Sequence, residues 1–190
     1  MSNRGMFLKK AKPTNIQEAV WWEEYCIRRQ GGYDFDGTNL PINNGWIPKG
    51  AILKKTSTGG CAVVKTAKVA EKATQSAKAI KVAKNHLLKV GDTVNGNKIT
   101  AITAGDGFDT LTVGALSSDI EPGTVLTDYA AGDVILGLSY DTFYYSSDEQ
   151  QAATPTLRVL ECEEATLPFP ITKEIKDAIN ANGIIRFKIQ

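Results

Sequence analysis

The side chains able to do covalent or acid–base chemistry are few and scattered. Cysteine occurs at Cys26, Cys61 and Cys162, and no two share the close spacing of a zinc or redox site. They read as buried or half-buried thiols of a reducing compartment. The single histidine, His86, lies in KNHLLKVGD and reads as a strand or turn residue. One imidazole cannot build a His-rich metal site, and it needs a partner to act as a base. Asp106 and Asp109, in GDGFD, lack the ligand spacing and closing glutamate of a calcium loop, so they read as an exposed hairpin turn. Glu161, Glu163 and Glu164 form an acidic cluster, and paired carboxylates do the work of glycoside hydrolysis. Strand alternation, however, puts Glu161 and Glu163 on one face, most often the wet one. Tyr140, Phe143, Tyr144 and Tyr145 are suited to a carbohydrate site, but also to a β-core or a subunit interface, which is the reading we favour. No phosphate-binding loop stands between a strand and a helix, and no GxSxG or HExxH motif occurs. These observations lead to an expectation of no enzyme activity, no cofactor and no metal.

The elements around these residues are mostly short. Residues 1–14 read as an extended arm. Residues 14–30, TNIQEAVWWEEYCIRRQ, suggest an amphipathic helix with Thr14 as N-cap, Gln17 completing a capping box and Gly31-Gly32 as the stop. Residues 31–48 are rich in Gly, Asn, Asp and Pro and read as a long loop or linker. From Pro48 onward, short runs of Val, Ile, Leu and Thr alternate with turn signals. Asn95-Gly96 and Gly105-Asp106-Gly107 are of hairpin type. In 67–84 we expect strands at both ends and a loop around KATQSA. LPFPITKEIKDAINANGIIRFKI predicts a helix capped by Thr172, with Ile175 and Ile179 on one face, and then a final strand. The fold class expected is mainly β: a small antiparallel barrel or sandwich over residues 47–190, preceded at 1–46 by an arm, a helix and a linker.

Composition places the chain among ordinary folded proteins, with 42% hydrophobic and 23% charged residues. No run approaches the roughly 18 apolar residues that cross a bilayer, and no apolar stretch follows the basic start as in a signal peptide. Synthesis in the cytoplasm and no membrane partner are therefore expected. Charge is unevenly distributed. Residues 50–90 hold nine lysines against one acid, Glu71, whereas residues 91–190 hold six bases against fifteen acids. The lysines alternate with Ala and Val and lack interleaved arginines or aromatics, so they read as a solvated or edge-protecting face, not a nucleic-acid site. An alternative is head-to-tail assembly, the basic half of one subunit meeting the acidic half of the next.

Three segments carry a resemblance. PKGAILKKTSTGG resembles the opening of phage head-decoration and head-fibre proteins. AIKVAKNHLLKVGDTV followed by ITAITAGDGFDTLTVGALSSDIEPGTVL is similar to head-fibre-type proteins of podovirus-like and crAss-like gut phages, and LPFPITKEIKDAINANGIIRFKI resembles their closing helix and strand. The resemblance spans residues 47–190. It implies a non-enzymatic structural role on the capsid exterior, in contact with the major capsid protein, often as a homotrimer, with host-surface glycans as a further partner. On this reading Trp21, Trp22, Tyr25 and Trp46 anchor the protein to the capsid or to sister subunits. The alternative is a tail or baseplate subunit, or a glycan-binding adhesin.

Overall fold

The structure, a computed structural model, describes residues 11–42 and 44–188. Most of the expected arm lies outside them. Seventeen short strands dominate the described residues. The first five are β1 (Ile27–Arg28), β2 (Tyr33–Asp34), β3 (Asn44–Ile47), β4 (Ile52–Lys55) and β5 (Cys61–Val63). Next come β6 (Thr66–Lys68), β7 (Ala79–Ala83), β8 (Thr93–Val94), β9 (Asn97–Lys98), β10 (Ala101–Ala104), β11 (Phe108–Thr112) and β12 (Val125–Thr127). The last are β13 (Ile135–Leu138), β14 (Phe143–Ser146), β15 (Ala152–Ala153), β16 (Thr156–Glu163) and, after helix α1 (Lys173–Asn182), β17 (Ile184–Lys188). The fold is mainly β, as expected.

The centre of the body is the sheet β13-β4-β5. Ile52 and Leu53 of β4 and all of β5 and β13 are buried, because both faces are covered there. Ile52, Val64, Ile135 and Leu138 face a cluster with Val159, Ile175, Ile179 and Ile185. Leu53, Cys61, Val63 and Leu136 face a second cluster with Phe35, Ile47 and Tyr145. The period-two alternation of Cβ directions divides neighbouring residues between the two cores.

Helix α1 covers the first cluster. Thr172 Oγ1 accepts the Ile175 amide at 3.3 Å, capping the helix where expected, and Ile175 and Ile179 are its buried residues. The helix carries the chain from β16 back to β17, which pairs parallel to β16. This crossover departs from the purely antiparallel expectation, and a helix is the usual way to join adjacent parallel strands. Among the described residues no sheet closes on itself into a barrel.

Residues 66–127 leave the body between β5 and β13 as a lobe. Its neck is the antiparallel pair β6–β12, and beyond it lie the sheet β10-β11-β7 and the hairpin β8–β9. The lobe has its own core, including Ile80, Val82, Leu88, Val94, Ile99, Leu111 and Leu126. Asn95 and Gly96 both take positive φ, as a two-residue hairpin turn of the type favoured by right-twisted strands demands. The strand–loop–strand expectation for 67–84 matches β6, β7 and the turns between them.

Two expectations are corrected. No helix forms over 14–30, where the only helical residues are a 3-10 turn at Glu23–Tyr25. The backbone hydrogen bonds go to the body instead: the Ala19 amide to Lys49 O, the Glu163 amide to Val20 O, and a bridge between Trp21 and Cys162. Burial there has period two, with Ala19 and Trp21 inward and Val20 and Trp22 outward. The 31–48 stretch is no linker either. In it β2 pairs with β15, β3 pairs with β14, and Phe35, Leu40 and Ile47 are core residues.

One glycine is dictated by close approach. Gly137 has φ +141°, and a Cβ there would lie 2.1 Å from the Thr156 carbonyl oxygen. Gly137→Ala is expected to lower stability by at least about 2 kcal/mol, from left-handed strain plus the displaced strand. A urea midpoint matching wild type would contradict this packing.

Candidate functional site

The four aromatic anchors expected from sequence have different fates. Trp21 is only 6% exposed and belongs to the core around Val159 and Ile175, with the Lys49 ammonium 4.3 Å from its ring centroid. Trp22, one residue on, is 63% exposed, its ring tilted against that of the exposed Tyr25 with centroids 5.9 Å apart. Trp46 is half-buried in β3, edge-on to Tyr144 of β14 at 5.4 Å. Only Trp22 and Tyr25 of the four therefore form a joint exposed feature.

Sequence reading missed the residues that extend this feature. Register aligns Ile27 with Arg158, and Arg158 with Ile184, across β1-β16-β17. Residues opposite one another in a sheet share a face, and Ile27 and Ile184 are both exposed. Val20, whose carbonyl oxygen accepts the Glu163 amide, is exposed beside the far end of β16. Five of the seven exposed large hydrophobic side chains among the described residues thus border β16: Val20, Trp22, Tyr25, Ile27 and Ile184. Scattered apolar residues are normal on a protein surface, whereas grouped ones mark interaction sites. A strand pattern read over residues 19–22 was the signal that could have found them.

Charged groups hold the segment in place. Glu18 accepts from Lys12 at 2.5 Å and from the Thr142 hydroxyl, and Lys49 donates to Glu23. Burial pulls the Glu18 carboxyl upward, but the Lys12 and Thr142 hydrogen bonds and the nearby lysines outweigh it and leave it lowered. Glu23 is lowered in the same way against burial, by Lys49 and Tyr140.

The other candidate chemistry disperses. Phe143 and Tyr145 pack edge-on against Phe35 at 4.9 and 5.5 Å, as core aromatics do. Glu164 is paired with Lys176 at 2.5 Å, Glu163 lies opposite Lys188, and Glu161 is exposed, so the three make no facing carboxylate pair. Burial pushes the thiols up, to about 11 for Cys26 and about 12 for Cys61 and Cys162, which keeps them protonated at neutral pH. No group of His, Cys, Asp and Glu able to hold a metal occurs among the described residues. Among the described residues no helix is long and apolar enough to cross a membrane.

The charge asymmetry is met in part within the chain. Lys54 pairs with Asp133 at 2.8 Å, Lys65 with Asp92 at 2.5 Å, Lys72 with Glu121 and Asp119 at 2.6 and 3.1 Å, and Lys84 faces Asp109 at 3.9 Å. Five acids of the C-terminal half thus pair with four of these lysines within the same molecule.

A cleft of about 550 Å³ separates lobe and body, lined by Lys68, Lys84, His86, Glu164, Phe169 and Pro170 among others. His86 Nδ1 accepts the Leu88 amide at 3.2 Å, and Nε2 lies 3.3 Å from Asp109 Oδ2, out of line for a good hydrogen bond. Burial lowers the pKa of its imidazolium, and the Asp109 charge only partly offsets this.

Comparison with protein-family models, with curated proteins and with solved structures finds no match to this chain.

Two predictions follow the burial pattern. Trp21→Ala should cost about 3–5 kcal/mol of unfolding free energy, whereas Trp22→Ala should stay within about 0.5 kcal/mol of wild type. Equal losses in urea titrations would refute the alternation. Because the folded-state value of His86 is depressed, its neutral form stabilises the fold above its ordinary value of 6.5. That contribution is lost as pH falls from there through the depressed value. His86→Gln should flatten stability against pH in that window, and an unchanged slope would show that another group titrates there.

Proposed function

We propose that the protein is a structural virion component that decorates the outer surface of a tailed-phage capsid, as a head fibre or auxiliary capsid protein. The apolar row bordering β16 is its contact surface. That row, with Trp22 and Tyr25 exposed and in ring contact, is the observation that carries the reading. Aromatic side chains gathered on a surface are what protein–protein contacts use as anchors. The resemblance of residues 47–190 to head-fibre proteins supplies the partner, the major capsid protein, and the homotrimeric assembly. A layered β body whose core residues come from both ends of the chain also suits a particle that must persist outside a cell.

The anchors are accordingly Trp22 and Tyr25, extended by Val20, Ile27 and Ile184. Trp21 acts indirectly, by fixing the backbone that presents its neighbour. Since β1, β2 and β3 complete the body's sheets, surface substitution is a sounder test than removal of the N-terminal segment. Trp22→Ser combined with Tyr25→Ser should leave the circular dichroism and urea midpoint near wild type. In co-sedimentation with capsid shells stripped of this protein, it should weaken saturable binding by at least about tenfold. Undiminished binding by the double variant would remove these residues from the contact. Failure of the wild type to bind shells at all would end the capsid reading.

A further inference from the structure

The outward face of β16 carries two charges that nothing in the chain meets. The register shift between Val159 and Cys162 lets both of these residues reach the core although they lie three positions apart. The residues just before them, Arg158 and Glu161, are exposed on the solvent side. Elsewhere even surface charges find partners within the chain: Lys72 with Glu121, Lys81 with Glu71 and Lys173 with Asp177. The side chains of Arg158 and Glu161 have no ion pair among the described residues. Each stands at one end of the apolar row. Arg158 lies between Ile27 and Ile184. Glu161 precedes Cys162, whose bridge to Trp21 sets Val20 and Trp22, with Tyr25 against the indole, at the other end.

We infer that in solution this row is covered by the same row of a second copy, in a two-fold dimer. The inference rests on the reading of the row as the contact surface, and adds what occupies it before a shell does.

The charges decide the occupant. Any surface that covers the row takes Arg158 out of water among isoleucines, and a charge buried without a partner is strongly unfavourable. The occupant must therefore bring a carboxylate to Arg158 and a cation to Glu161, about 10 Å further along the strand. The β16 strand of a second copy, lying face to face and running the opposite way, brings both. A two-fold axis in the plane of the contact, crossing β16 at right angles between Val159 and Leu160, sets Arg158 of each copy on Glu161 of the other. The same rotation lays Ile27 of one copy over Val20, Trp22 and Tyr25 of the other. Sheets stacked face to face in this way lie about 10 Å apart. Such a contact closes on itself, since it uses the same patch of both copies, and it gives dimers instead of fibres. It also shields an apolar row that would otherwise invite non-specific association. Because a shell would take the same row, the dimer has to part first, and self-association and shell binding exclude one another.

The test is sedimentation equilibrium of the purified full-length protein in the absence of shells. The expected result is a reversible equilibrium between monomer and dimer. Arg158→Glu and Glu161→Arg should each raise the dimer dissociation constant at least about tenfold, with circular dichroism unchanged. Arg158→Glu combined with Glu161→Arg should bring the constant back near wild type, because the two-fold pairs the exchanged charges again. A wild type that stays monomeric overturns the inference, as does self-association that survives both single changes or a combined variant no tighter than they are. Stripped shells added to the same samples separate this inference from the capsid reading. Dimers without shell binding uphold the inference and end that reading, whereas shell binding by a protein that never dimerises does the reverse.

Discussion

A single buried ammonium ties the two halves of this molecule together. Lys65 stands where the chain leaves the body for the lobe, and its charge is met by Asp92 of the lobe and by the Asn39 carbonyl of the body. An ion inside a protein costs several kcal/mol to desolvate and is tolerated only where its partners are well placed. The lobe cannot turn on its neck without breaking those contacts. Removing one partner of such a pair typically costs about 3–5 kcal/mol, because the other is left as an uncompensated charge. Neighbouring contacts depend on the same geometry: Asp128 bonds the Lys65 backbone, Lys89 Nζ donates to Thr38 O, and the Thr66 hydroxyl donates to Pro170 O. The neck is therefore a polar joint between two apolar cores. Polar joints define orientation more narrowly than apolar contacts do, since hydrogen bonds are directional.

The parts of this arrangement that were legible from sequence are those governed by local pattern. The Asn95-Gly96 turn, the strands around the KATQSA loop, the Thr172 cap and the final strand all rest on neighbours within a few residues. The N-terminal region was misread because its signals are ambiguous. Glu, Gln, Ala and Arg favour a helix in isolation, but propensities are worth only tenths of a kcal/mol each. Burial of a tryptophan in the body core is worth several times more. The contacts that decide the matter, Trp21 with Cys162 and Val20 with Glu163, join positions more than a hundred residues apart. The Gly-, Asn- and Asp-rich stretch failed for a related reason. Its apolar residues are thinly spread, yet Phe35, Leu40 and Ile47 all reach one core.

The charge distribution shows how a linear count can mislead in the same direction. A basic segment followed by an acidic one suggests two surfaces of opposite sign. Folding interleaves them instead, because β12 returns beside β6 and β11 beside β7, bringing the C-terminal acids next to the lysines. Exposed pairs such as Lys72 with Asp119 and Glu121 add little stability individually. Their effect is on the local surface potential.

That row is not a by-product of folding. The alternation that buries Ala19 and Trp21 requires Val20 and Trp22 to point outward, but it places no demand on what those outward residues are. A serine at position 22 would leave the main-chain bonds and the core intact, since the indole is exposed and lies outside the core clusters. A large aromatic side chain kept in water contributes almost nothing to the fold and adds a liability to aggregation. The same holds for Ile27 and Ile184, on either side of Arg158, where the sheet would pair equally well with polar residues. Apolar groups that the fold does not use, gathered along one strand, gain their free energy only when another surface removes them from water.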